Sequence, residues 1–144
     1  MKTLLALFCS FALVHAACAA GMHVKGEKPL AISQGEEVSL ADFLVPGKVT
    51  IFEFTSEYCA PCRGYAEPLL LVHRRLPGTV VVKVDINRPV THGIDWDSPV
   101  ARQYGLRSIP HFKIFGPDGN LMAEDTTDDR PARVIVDKLI NALN

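Results

Sequence analysis

Cys59 and Cys62 are the residues of this chain best placed to do chemistry. The spacing C-x-x-C, with Pro61 restricting the link between them, sets two sulfurs one helical turn apart. They can close on each other or exchange with a disulfide elsewhere. An apolar, β-type run, Ile51-Phe52-Glu53-Phe54, precedes them, and a helix-like pattern comes directly after. The order strand, cysteine turn, helix puts Cys59 at a helix N-terminus. Backbone N–H groups there lack intrahelical partners and the helix dipole is positive, so a thiolate is favoured and becomes the better nucleophile at neutral pH. Cys59 is therefore the expected attacking thiol, at the exposed end of the turn, with Cys62 inward to displace it from a mixed disulfide. A purely structural disulfide and a metal-binding pair are the other readings. Structural zinc takes four ligands, and the only other cysteines, Cys9 and Cys18, lie in or beside a leader-like segment.

Strands and helices on either side must hold this pair. Val49–Thr55 is apolar on both faces apart from Glu53, as in the central strand of a covered sheet. Tyr65, Leu69, Val72 and Leu76 recur at helical spacing over residues 59–76, and Pro68 inside that run predicts a kink. Residues 79–86 are β-branched and nearly unbroken, a second buried strand. A polar loop with Pro89, Gly93 and Trp96 leads to a short helix with Ser98 as N-cap and Pro99 in its first position. His111–Phe115, a Gly116-Pro117-Asp118-Gly119-Asn120 turn and residues 121–126 make a hairpin. A last helix begins near Pro131, capped by Asp128 or Asp129, with Ile135, Leu139, Ile140 and Leu143 as its buried stripe. Upstream, Leu30-Ala31-Ile32 suits a short strand, and residues 36–44 suit a strand and then one helical turn capped near Ser39.

Tyr58-Cys59-Ala60-Pro61-Cys62-Arg63 resembles the Trp-Cys-Gly-Pro-Cys-Lys motif of the thioredoxin superfamily. Ser108-Ile109-Pro110 resembles the segment that carries that family's cis-proline. Tyr104-Gly105-Leu106-Arg107 before it, and Phe112–Gly119 after it, strengthen the likeness, which covers residues 36–143. The resemblance implies a thioredoxin-like three-layer α/β fold: a central mixed sheet flanked by helices, with a short N-terminal extension. It implies a cis peptide bond at Pro110. The Ile109 backbone would then lie beside the sulfurs, where a substrate chain can pair as an added strand. Tyr58, Ala60 and Pro61 would complete the substrate-binding rim. Glu53 takes the place of a buried aspartate that serves the second cysteine; a buried carboxyl has a raised pKa and can act as a base toward Cys62. The lysine that accompanies that acid in the family aligns with Val81, so its absence is expected. His111 stands where the family usually has Thr and reads as a partly exposed strand residue. Trp96 reads as a cover for the sheet edge.

The resemblance implies a thiol–disulfide oxidoreductase acting on protein disulfides, with no organic cofactor. Ala-Pro between the cysteines is nearer the dipeptide of the reducing members than that of the strong oxidants. A disulfide donor or isomerase, and a non-catalytic binding or metal-delivery module, are the alternatives. The chain has 144 residues, with 15 basic against 16 acidic side chains, so it carries no nucleic-acid or membrane-binding charge pattern. Met1-Lys2-Thr3, an apolar run over residues 4–14 and small residues through Ala20 read as a signal peptide over residues 1–19. Residues 20–35 read as the extension and 36–144 as the domain. Export is the expectation, to a periplasmic or secreted location, with a lipid anchor at Cys18 as one form of it. An oxidising compartment would require a membrane electron-transfer partner to keep the pair reduced.

Overall fold

The computed structural model describes residues 25–144; the leader, Cys9 and Cys18 lie outside them. Five strands form one sheet in the order β1-β3-β2-β4-β5: β1 Leu30–Ile32, β2 Val49–Thr55, β3 Thr79–Asp85, β4 His111–Phe115 and β5 Leu121–Glu124. β1, β3 and β2 run parallel; β4 is antiparallel to β2, and β5 to β4. The helices are α1 Ala60–Arg75, α2 Pro99–Gln103 and α3 Pro131–Asn141, with a 3₁₀ turn at Leu40–Phe43. Among the described residues no helix is long and apolar enough to cross a membrane.

Both faces of the sheet are covered, which is why β2 and β3 read as nearly continuous apolar runs. On one face Ile51, Val81, Phe112 and Ile114 pack with Leu69 and Val72 of α1 and Ala132 and Val136 of α3. On the other, Phe52, Phe54, Val82 and Val84 pack with Val100 and Ala101 of α2 and with Leu40 of the 3₁₀ turn. The strand period of two divides the β2 side chains between these faces.

Several expectations need correction. β1 is an edge strand of the main sheet, so the sheet starts inside the segment assigned to the extension, before residue 36. No strand forms over residues 36–39, and Ser39 precedes the 3₁₀ turn without a side-chain cap. α1 continues as one helical segment past Pro68, where the kink is expected; that residue removes the N–H that would have reached the Gly64 carbonyl. Neither Asp128 nor Asp129 caps α3. The buried Asp125 does so, accepting from Arg133 N at 3.0 Å. The inward stripe of α3 includes Ala132 and Val136, while Ile135 is exposed.

Candidate functional site

α1 begins where β2 leaves the sheet. Cys59 is its N-cap, in extended conformation, and the Cys59 sulfur accepts from Cys62 N at 3.1 Å. That N–H is one of the donors the helix start leaves open. Pro61 falls in the first turn, where its missing N–H leaves no carbonyl unsatisfied. Cys59 and Cys62 form a disulfide with Cα atoms 5.2 Å apart. Both are buried, at 2% and 3% exposure, so Cys59 is not the exposed end of the turn. The loop before it is tied down by Cys59 N to Ser56 O at 3.0 Å and Tyr58 N to Ser56 Oγ at 3.2 Å. Tyr58 stands out beside it, 40% exposed, and Ala60 and Pro61 are exposed.

The Ile109–Pro110 peptide bond is cis. Phe54 pairs with His111 across β2 and β4, so Pro110 lies at the end of the sheet from which the Ser56–Cys59 loop departs. Ile109 is partly buried against the core, and its N–H and carbonyl make no hydrogen bond among the described residues.

Glu53 is fully buried. Its neighbours in register are Lys83 on β3 and Phe112 on β4, which puts it on the α1 and α3 face. Lys83 Nζ approaches Glu53 Oε2 to 3.7 Å, an ion-pair distance longer than a hydrogen bond. Neither carboxyl oxygen has a hydrogen-bond partner among the described residues. Burial pushes the Glu53 pKa up to about 7, against the opposing pull of Lys83. A lysine therefore does accompany the buried acid, at position 83, two residues from where the sequence placed it. A cavity of about 230 Å³ runs beside Cys62 and is lined also by Ser56, Ala66, Lys83 and Asp85. It is large enough to hold water between the inner sulfur and the lysine.

His111 is buried rather than partly exposed. Its ring stands edge-on to Phe54, with centroids 5.6 Å apart. Sharing a face with Phe54 places it on the side of the sheet opposite Glu53. Burial lowers its pKa, and its Nε2 is 4.0 Å from Glu124 Oε1. Trp96 lies in the loop after β3 with 40% of its surface exposed. That loop is held by Asp95, which accepts from Arg88 Nε at 2.7 Å, Arg88 Nη2 at 3.0 Å and Thr91 Oγ1 at 3.1 Å.

No protein-family model matches the chain. Among curated proteins it is 36% identical over 73 residues to an H-type thioredoxin of rice, covering 51% of this chain and 52% of that one. It is 30% identical over 101 residues to a protein of Synechocystis named as a thiol:disulfide interchange protein TxlA homolog, covering 68% and 51%. The chain thus spans about half the length of the curated relatives it matches. Among solved structures, a thioredoxin variant from Halobacterium salinarum superposes with a TM-score of 0.53 at 18% identity, over 84% of this chain and 96% of that one. Thioredoxin from Trypanosoma brucei brucei gives 0.54 at 16%, over 81% and 92%. The fold is thioredoxin-like, a central mixed five-strand sheet flanked by helices. On it sits a Cys59–Cys62 disulfide at the start of α1.

Proposed function

We propose that the protein is an exported thiol–disulfide oxidoreductase that reduces disulfides in protein substrates. The observation that carries the reading is the cysteine pair at the start of α1, directly after the strand that buries Glu53. In the reduced protein the Cys59 thiolate attacks a substrate sulfur. A mixed disulfide forms and the substrate's other sulfur leaves as a thiolate that takes up a proton. Cys62 then loses its proton and attacks Cys59, which releases the second substrate thiolate. Two electrons pass to the substrate and the Cys59–Cys62 bond re-forms. Glu53, poised near neutrality, takes the Cys62 proton, carried by water in the cavity that Cys62 and Lys83 line, Lys83 being the ion-pair neighbour of Glu53. The substrate docks as an extended chain along Ile109-Pro110, within a rim of Tyr58, Ala60 and Pro61.

Export is supported by the leader-like residues 1–19, with Cys18 as a site for a lipid anchor. A membrane electron-transfer partner would return electrons to the pair. Insulin reduction and redox equilibration against glutathione test the activity. A Cys62→Ser variant should accumulate a mixed disulfide through Cys59, visible by mass, while Cys59→Ser accumulates none. A reversible potential near or below about −230 mV fits a reductase, and one near about −120 mV would make the protein a disulfide donor instead.

A further inference from the structure

Four hydrogen bonds reach the segment around the cis-proline from the start of α3 and the residue that caps it. Arg133 Nη2 donates to the Pro110 carbonyl. Arg130 Nη2 donates to Ser108 Oγ at 2.7 Å. Asp125 Oδ2 accepts from Phe112 N at 3.1 Å, and Asp125 N donates to Phe112 O at 2.9 Å. The other Asp125 oxygen accepts from Arg133 N at 3.0 Å. One carboxylate, on a residue only 1% exposed, therefore ties the first turn of α3 to β4 just beyond the proline. The residues held are 108, 110 and 112. Ile109, between the first two, is left with its backbone N–H and carbonyl unpaired among the described residues.

The arrangement is costly for a merely structural brace. Arg130 Nη1 and Arg133 Nε are buried with no hydrogen-bond partner among the described residues. Burying unpaired polar groups is unfavourable, and a pair of apolar residues would pack α3 against β4 without that cost. What the two side chains add is direction: each donates to one acceptor, a carbonyl and a hydroxyl on either side of Ile109.

We propose that Arg133, Asp125 and Arg130 are positioning residues for the substrate polypeptide, acting from α3 through Ser108–Phe112 to hold the Ile109 backbone ready for strand pairing. The inference rests on the thiol–disulfide reading above. None of the three residues takes part in the sulfur chemistry, so their contribution belongs to docking of a peptide chain. A small disulfide with no peptide group makes no use of it.

The test uses Arg133→Met and Asp125→Asn, with Arg133→Lys as the conservative variant that retains a donor for the Pro110 carbonyl. Two reactions are measured on the full chain: turnover of insulin, and the single-turnover oxidation of the reduced protein by cystamine. For Arg133→Met the KM for insulin should rise about tenfold or more, in keeping with the cost of small misplacements. Its kcat and its rate with cystamine should stay within about twofold. Arg133→Lys should recover most of the loss. Equal losses with insulin and cystamine would show a general structural role, and unchanged insulin kinetics would show no role; either overturns the proposal. Should Arg133→Met fail to fold, Asp125→Asn and Arg133→Lys carry the same comparison. A wild-type protein that reacts with cystamine but never turns over insulin would instead refute the protein-disulfide reading itself, and this inference with it.

Discussion

Replacing Glu53 by Gln should make the oxidised protein more stable at alkaline pH and leave it nearly unchanged in mild acid. The carboxyl is buried, without a hydrogen-bond partner among the described residues, and its pKa rises from an ordinary 4.5 to about 7. At about 1.4 kcal/mol for each pH unit, that difference amounts to about 3 kcal/mol. The folded state keeps a proton that the unfolded chain has already lost across this window. The contribution of the neutral carboxyl is therefore complete below about pH 4.5 and is lost as pH rises through about 7. A carboxamide has no such loss. Urea unfolding of both proteins with the disulfide intact should give a stability difference near zero at about pH 4.5, growing to about 3 kcal/mol above about pH 8. With an ordinary urea dependence, that separates the midpoints by roughly 1–3 M. His73 and His111 have lowered pKa values and slope the other way, but they are common to both proteins and cancel in the difference. Removing the lysine charge with Lys83→Met should move the wild-type break to still higher pH, because Lys83 is what holds the Glu53 pKa down. Parallel pH curves for wild type and Glu53→Gln would refute the reasoning, and would show that the carboxyl is hydrated well enough to ionise freely.

Three other outcomes rest on different parts of the structure. His73 Nδ1 accepts from Val81 N at 3.0 Å and its Nε2 meets the Gly26 carbonyl at 2.9 Å, an arrangement only the neutral ring can make. Burial lowers its pKa, so the stability it contributes is present above its unfolded pKa and is lost as pH falls through the folded one. Amide exchange at Val81, corrected for intrinsic rates, should accelerate in acid more than that of its β3 neighbours. Gly35→Ala should destabilise by about 1–3 kcal/mol in urea unfolding. Gly35 has φ +85°, and an added Cβ would lie 2.7 Å from Arg88 N. Leu69→Ala, fully buried between α1 and the sheet, should cost about 2–5 kcal/mol by the same measurement without abolishing disulfide exchange with cystamine.

Local order is the part of this structure that its sequence makes legible. The cysteine turn at the start of α1, Ser98 as the cap of α2 and the 116–120 turn all derive from residue types at fixed offsets, and the structure has each of them. The hidden part depends on which strands lie side by side. A linear alignment points to Val81 as the partner position of Glu53, yet the β2–β3 pairing matches Glu53 with Lys83 and Ile51 with Val81. A basic residue in the middle of a β-branched run is the available signal. A lone charge in a buried strand calls for a partner, and Glu53 in the neighbouring strand is the unpaired candidate. Asp125 is hard to find for a related reason: capping from sequence looks to the residues just before a helix. Here the carboxylate comes from the end of the hairpin and serves β4 as well as α3. For His111, alternation along β4 cannot by itself say that both faces are covered. Once Phe54 is seen beside it on the α2 side, its burial is required, and so is its separation from Glu53. The sheet therefore keeps these two buried titrating groups on opposite faces. The carboxyl shares its face with α1, the helix that carries Cys62, which is why the proposed mechanism gives the proton to Glu53 and not to His111.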